Sequence, residues 1–233
     1  MGKDYSIITY RDVVFSDYLR NQVFHPATAE FVELLEVNND VIVFSGVIRD
    51  YMLHRIDETI RDIDIVVAKQ GYTEDMIGLI QSYPYRVNSF GGVKMVIGDQ
   101  VLDLWRLEDT WGIRNEGYRS SAKSLVKTSF FNFSAIAYDL DEERFYIHKA
   151  FRRFLKDKRI DVLYDKNPNV PLCIVNSKFY SERLGMPLGK NLKSWIWDHY
   201  DEKEDYLTVQ LEHWGEVKYD KEVIRDFCYL CME

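Results

Sequence analysis

The chain has 233 residues, of which 46% are apolar, 29% charged and 15% aromatic, with 12 Gly and 5 Pro. That is enough apolar material for a sizeable core, and it excludes collagen-like, low-complexity and disordered classes. The formal net charge of −8 argues against tight, non-specific binding to long nucleic acid, which rests on many Lys and Arg contacts, while leaving room for a local basic patch.

No apolar run approaches the roughly 18 residues of a membrane span. The opening MGKDYSIITYRD lacks the apolar stretch and cleavage site of a signal peptide, so no membrane and a cytoplasmic location are expected. The three cysteines, Cys173, Cys228 and Cys231, cannot all pair within one chain and suit a reducing compartment. Cys228 and Cys231 form a lone C-x-x-C without a second ligand pair, which reads as two core residues at helical spacing.

Two helices are predicted between Tyr10 and about Asn39, where Val14, Tyr18 and Leu19, then Phe31, Leu34 and Leu35, recur at helical intervals and Pro26 is placed to open the second. Val41 to Phe44 is an all-apolar run ended by Ser45-Gly46, the pattern of a buried strand entering a turn. From Val47 to about Asp57, Ile48, Met52, Leu53 and Ile56 repeat as in a helix. Arg61 to Ala68, RDIDIVVA, alternates charged and apolar residues before turning fully apolar, as a strand with one buried face does. A helix over about Thr73 to Gln81 follows. Three β-like runs, Tyr85 to Ser89, Val93 to Ile97 and Val101 to Leu107, are then separated by Gly91-Gly92 and Gly98-Asp99 as a meander. Ser120 to Lys127 reads as a helix, Phe131 to Tyr138 as a strand, and Phe145 to Ile147 as its hairpin partner across LDEE. Beyond Lys149 the pattern is helical, with breaks near Asn167-Pro168, Gly185 to Gly189 and Gly215. The expectation is a mixed α/β domain over residues 1–148 and a helical region over 149–233, without internal repeats.

Asp62 and Asp64 stand two apart on the predicted strand, so their side chains leave one face while Ile63, Ile65 and Val67 take the other. Asp103, in VLDLWRL, shares a face with Val101 and Trp105; if its strand neighbours the first, three carboxylates converge. Close carboxylates repel one another and call for a cation, and an all-oxygen site favours a hard ion such as Mg²⁺. An isolated D-x-D is more often a pair of solvated strand residues, here with Asp62 paired to Arg61. What distinguishes this one is Ser45-Gly46, sixteen positions earlier, where a strand ends and a helix begins. The backbone N–H groups of such a turn form an anion site, and Gly lets a phosphate approach. The combination is what metal-assisted phosphoryl transfer requires.

Phe44 to Ala68, FSGVIRDYMLHRIDETIRDIDIVVA, resembles the head-domain signature of CCA-adding enzymes and bacterial poly(A) polymerases: a small-residue pair, an Arg-Asp, a Leu-rich helix and then D-x-D on a strand. Ser89 to Glu108, SFGGVKMVIGDQVLDLWRLE, is similar to that family's Phe-Gly-Thr turn, meander and third Asp, with Arg106 near the place of a following Arg. Ser129 to Ile147 is similar to the segment joining head to neck, and Pro171 to Gly185 has the shape of the first neck helix. The resemblance implies a nucleotidyltransferase (polymerase-beta-like) fold, α/β with a mixed sheet and flanking helices, and a helical, neck-like C-terminal part. It also implies Mg²⁺- or Mn²⁺-dependent transfer of a nucleoside monophosphate from ATP or another NTP to an acceptor hydroxyl. Residue by residue, it implies that Asp62 and Asp64 bridge the metals and that Asp103 binds the metal activating the acceptor. Ser45 and Gly46 would hold the triphosphate, Arg49 and Asp50 would order that turn, and Arg106 would contact a phosphate.

The chain departs from the family at several places. Ser45 replaces the first glycine of the usual pair, the connection from helix to strand is longer, and His54 stands where the family commonly has Gly. The Arg-Arg-Asp-Phe-Thr-x-Asn-Ala run appears as TSFFNFSA, Thr128 to Ala135, without its arginines, Asp and Asn. The Asp-Pro-x-Arg-x-x-Arg of the neck appears as Val170, Pro171, Cys173 and Asn176. Base selection of the CCA type is therefore not expected. Residues 186–233 are too few for the body and tail that grip a tRNA, which points to a smaller acceptor or to a partner protein. The acceptor stays open between an RNA 3′ end, a protein side chain and a small molecule. The rival reading is a catalytically inactive nucleotide-binding or protein-interaction module on the same fold; retention of three mutually repelling acids favours activity.

His148 to Arg159 places Lys149, Arg152, Arg153, Lys156 and Arg159 around a helix backed by Phe151, Phe154 and Leu155, a solvated amphipathic face or a contact for an RNA backbone. Trp195, Trp197 and Trp214 read as core rather than as base-stacking platforms. His25, His54, His148, His199 and His213 show no metal-ligand spacing.

Overall fold

The computed structural model describes residues 14–55, 60–69, 74–88 and 90–232. These fall into two compact units, the described residues of 14–128 with 134–148, and those of 129–133 with 149–232.

In the first unit, residues 14–18 are helical and run into a wider π-helical turn, Leu19–Val23; the predicted start at Tyr10 lies outside the described residues. Helix α1, Pro26–Glu36, opens with Pro at its first turn, where a missing N–H costs nothing. The elements that follow are β1 (Asn39–Phe44), α2 (Gly46–Met52), β2 (Ile63–Lys69), α3 (Glu74–Gln81), β3 (Tyr85–Val87), β4 (Val93–Ile97) and β5 (Gln100–Arg106). Then come α4 (Trp111–Glu116), α5 (Ala122–Lys127), β6 (Ile136–Asp139) and β7 (Arg144–Ile147). The strands form one mixed seven-stranded sheet in the order β3-β4-β5-β2-β1-β6-β7. β2 and β5 pair in parallel, and the other pairings are antiparallel.

One face of the sheet is apolar over most of its area. Val41 and Val43 of β1, Ile63, Ile65 and Val67 of β2, Met95 of β4, and Leu102 and Leu104 of β5 are all buried, with Phe31, Val32 and Leu35 of α1, which packs on β1. Each such side chain contributes roughly 1.5–3 kcal/mol relative to exposure, so this face sets the phase of the pleat. Residue 64 then has to emerge on the other side.

That other side is covered over part of its area. Ile42, Val66 and Ala137 are buried with Leu107, Ile113, Ala122, Leu125 and Val126, so α4, α5 and the 3₁₀ turn Leu107–Asp109 form a second core, against which Phe44 and Trp105 pack. α4 is unpredicted, because six residues are too few to carry an amphipathic period. It approaches closely: a Cβ on Gly112 would lie 2.5 Å from Cβ of Thr128.

Several boundaries are corrected. The helix predicted to reach Asp57 ends at Met52, with 56–59 outside the described residues. The strand expected from Phe131 starts at Ile136; Asn132–Ser134 is instead a 3₁₀ turn. The reason is Asn132, which is buried and donates from Nδ2 to the Arg159 carbonyl (3.0 Å) while its Oδ1 accepts the Asp161 N–H (3.0 Å).

The second unit contains α6 (Lys149–Asp157), α7 (Val170–Leu184), α8 (Lys190–His199), α9 (Tyr206–Trp214) and α10 (Lys221–Leu230). Side chains of Asn169, Asp205 and Asp220 accept N–H groups at the starts of α7, α9 and α10, satisfying donors that the first turn leaves orphaned. The breaks predicted at Gly185 and Gly215 are left-handed C-terminal caps, with φ of 64° and 77°. Phe131 stacks on Phe133 at 4.6 Å, and Phe130 meets Trp195 edge-on at 4.7 Å. Cys173, Cys228 and Cys231 are buried free thiols, as core residues should be.

Candidate active site

The strand pairings align one row of same-face residues across the sheet: Tyr146, Ala137, Phe44, Asp64, Asp103, Lys94 and Arg86, from β7 to β3. Asp64 and Asp103 are thus direct partners. Asp62 lies one residue before β2, and the two-residue period puts it on the side of Asp64.

The acids interact strongly. Burial, then the neighbouring Asp62 and Asp103 carboxylates, pushes the Asp64 carboxyl well above the usual range, against the pull of Arg61 and Lys94. Burial also raises Asp103, while Lys94 partly offsets it. Arg61 grips Asp62 with Nε (3.0 Å) and Nη2 (2.8 Å). Lys94 Nζ lies 2.9 Å from Asp103 Oδ2 and 3.5 Å from Asp62 Oδ2. Sequence reasoning missed Lys94. Its signal was a Lys in the otherwise apolar strand VKMVI, on the parity opposite to Val93 and Met95.

At the turn, Ser45 is buried and adopts φ 54°, ψ −93°, a backbone conformation natural to Gly. Its N–H donates to the Ile136 carbonyl (3.1 Å), and its carbonyl accepts from Arg49 N–H (2.8 Å). The Ser45 amide is therefore committed within the sheet. Gly46 sits against the acid: a Cβ built there would be 3.9 Å from Asp64 Oδ2. Arg49 is buried and holds Asp50 bidentately, Nε to Oδ1 at 2.7 Å and Nη2 to Oδ2 at 2.9 Å. Arg106 is ion-paired with Glu108 and with Asp109, the latter at 3.2 Å. The structure thus brings Asp62, Asp64, Asp103 and Gly46 together, ties Arg49 to Asp50 inside α2, and turns Arg106 toward two acids.

The donor chemistry of the three carboxylates suits a hard divalent cation. Among the described residues, however, no group of three or more His, Cys, Asp or Glu side chains is arranged to hold a metal ion. Asp62 and Asp103 instead face the cations of Arg61 and Lys94. A cavity of about 450 Å³ is lined by Phe90, Asp109, Trp111, Arg114 and Asn115. Phe90 at its edge is half exposed. Among the described residues, no helix is long and apolar enough to cross a membrane.

No protein-family model matches the chain, and no curated protein matches it. Solved structures do. A CCA-adding enzyme in complex with ATP aligns over 95% of this chain and 55% of its own, at 19% identity and a TM-score of 0.63. A CCA-adding enzyme complex with CTP aligns over 97% and 55%, at 20% identity and a TM-score of 0.61. The Thermotoga maritima CCA-adding enzyme, solved with tRNA, aligns over 92% and 53%, at 21% identity and a TM-score of 0.61. The fold is the nucleotidyltransferase fold of these enzymes, with a mixed sheet and a helical C-terminal part. The chain spans about half the length of these three structures.

Proposed function

We propose that the chain is a nucleotidyltransferase that moves a nucleoside monophosphate from an NTP to an acceptor hydroxyl, releasing pyrophosphate. The observation that supports it is the pairing of Asp64 with Asp103 across parallel strands, with Asp62 on the same side and Gly46 against Asp64. Asp62 and Asp64, with Asp103 beside them, would hold Mg²⁺ or Mn²⁺. A divalent ion held by these residues would supply Lewis-acid stabilisation of the charge that develops during displacement at the α-phosphorus. Gly46 leaves space beside the acids for a triphosphate oxygen. The Phe90 and Trp111 cavity offers aromatic surface for a base.

An RNA 3′ end is the acceptor class favoured by the tRNA complex among the similar structures. Arg152, Arg153 and Lys156, exposed on α6, offer charge for its backbone. The rival, a nucleotide-binding module without turnover, draws support from Arg49 and Arg106, whose guanidinium groups the protein's own acids hold.

The test is transfer of α-³²P label from each of the four NTPs, with Mg²⁺, to total RNA, a protein lysate and a small-molecule pool, beside the Asp62→Ala/Asp64→Ala variant. Label in the RNA pool that depends on both acids is the expected result, whereas label in another pool reassigns the acceptor. Metal-dependent triphosphate binding with no transfer to any pool would support the rival.

A further inference from the structure

The acid cluster already contains a cation of its own. Lys94 is the antiparallel register partner of Asp103, so the two side chains leave the same face of adjacent strands, with Cβ atoms about 5 Å apart. From there its Nζ reaches 2.9 Å from Asp103 Oδ2 and 3.5 Å from Asp62 Oδ2, spanning β4 to the start of β2. The Lys94 side chain is 21% exposed and those of Asp62 and Asp103 are 12% and 24% exposed, so the ammonium is largely out of water and depends on these carboxylates for its partners. The position comes from ladder pairing rather than from a loop, and the backbone cannot move it far.

Resting on the nucleotidyltransferase reading, we propose that Lys94 takes the place of one metal ion, so that the site binds a single divalent cation on Asp62 and Asp64 while the ammonium occupies the side liganded by Asp103. Charge supports this count. Three carboxylates with the Lys94 ammonium and the Arg61 guanidinium carry a net charge of −1, which one divalent ion takes to +1 and two would take to +3 before a triphosphate adds its own charge. An ammonium and a divalent ion on the same carboxylate oxygens repel with twice the energy of two unit charges at that distance. Lys94 would then balance the charge of the acid beside the acceptor, and its fixed position would orient Asp103.

The experiment counts Mn²⁺ bound per full-length chain by electron paramagnetic resonance, with an equimolar mixture of the four α,β-methylene nucleoside triphosphates present. Wild type is compared with Lys94→Met, whose apolar side chain is of similar length, and with Lys94→Gln should the methionine variant fail to fold. One ion in wild type and two in the variant is the expected result, together with at least a tenfold tighter Mn²⁺ affinity for the variant without nucleotide. Two ions in wild type, or one ion in both proteins with unchanged affinity, would overturn the role of Lys94 and leave the nucleotidyltransferase reading standing. No Mn²⁺ in either protein would overturn both.

Discussion

Asp64 and Asp103 face each other as register partners in the parallel pairing of β2 with β5, two carboxylates held side by side by the backbone itself. Such an arrangement costs stability. Because burial and the neighbouring acids raise the Asp64 carboxyl in the folded state, the native protein keeps this proton to higher pH than the unfolded chain does. Native stability therefore falls as pH climbs from the unfolded value of about 4 through the raised folded value. Asp64→Asn removes the ionisation. Its thermal melt should coincide with wild type near pH 3 and exceed it at pH 7, by about 2–4 °C for each kcal/mol regained. Label transfer should fall by at least about 100-fold, as when a charge-stabilising group is lost. Equal melting temperatures at pH 7 would contradict the assignment.

Two residues other than glycine hold positive φ on either side of α2, Ser45 at 54° and His54 at 57°. Glycine adopts this region freely, whereas an L side chain there costs about 1–2 kcal/mol, partly offset by the extra entropy that glycine loses on folding. Ser45→Gly and His54→Gly should each raise stability by up to about 1 kcal/mol, read as a higher urea midpoint. Transfer activity should survive both changes, since neither side chain is needed by the acids.

Gly46→Ala separates folding from binding. The added methyl would sit 3.9 Å from Asp64 Oδ2, an ordinary contact, so the apo protein should fold normally and be no less stable. The same methyl fills the space beside Asp64 where a phosphate oxygen would lie. The KM for the NTP should rise at least about tenfold, the equivalent of roughly 1.4 kcal/mol. An unchanged KM would remove Gly46 from the triphosphate site.

In the second unit, the carboxylate of Asp161 accepts N–H groups of Val162 (3.0 Å) and Leu192 (2.7 Å) on Oδ1, and the Asn191 amide (3.0 Å) on Oδ2. A Cβ on Gly189 would come within 2.5 Å of its Cγ. With the carboxylate so anchored, Gly189→Ala should destabilise by about 1–3 kcal/mol, and Asn132→Ala by a similar amount for stranding buried partners. Denaturant melts would show both losses.

What was legible in the sequence follows from what is local. Asp62, Asp64 and Asp103 announce themselves through alternation and through order along the chain, and β1, β2 and the meander through apolar runs between turn residues. Lys94 does not, because its partner is decided by which strand lies beside β4. Nor does the commitment of the Ser45 amide to Ile136, which needs β6 to lie next to β1. Phe131 to Ser134 imitates a strand because its aromatic residues fit either a pleat or a helical core. The buried hydrogen bonds of Asn132 choose the latter.

The row from Tyr146 to Arg86 makes the chemistry of this protein a matter of phase. A slip of β4 by one residue would leave every backbone hydrogen bond re-formable, yet it would turn Lys94 into the apolar layer and lay a methionine or a valine beside Asp103. Insertions in the turns at Gly91-Gly92 or Gly98-Asp99 are thus not silent changes of loop length, since either can act as a switch of charge at the acids. Any attempt to transplant this cluster onto another sheet would have to copy the counting of the strands before copying the side chains.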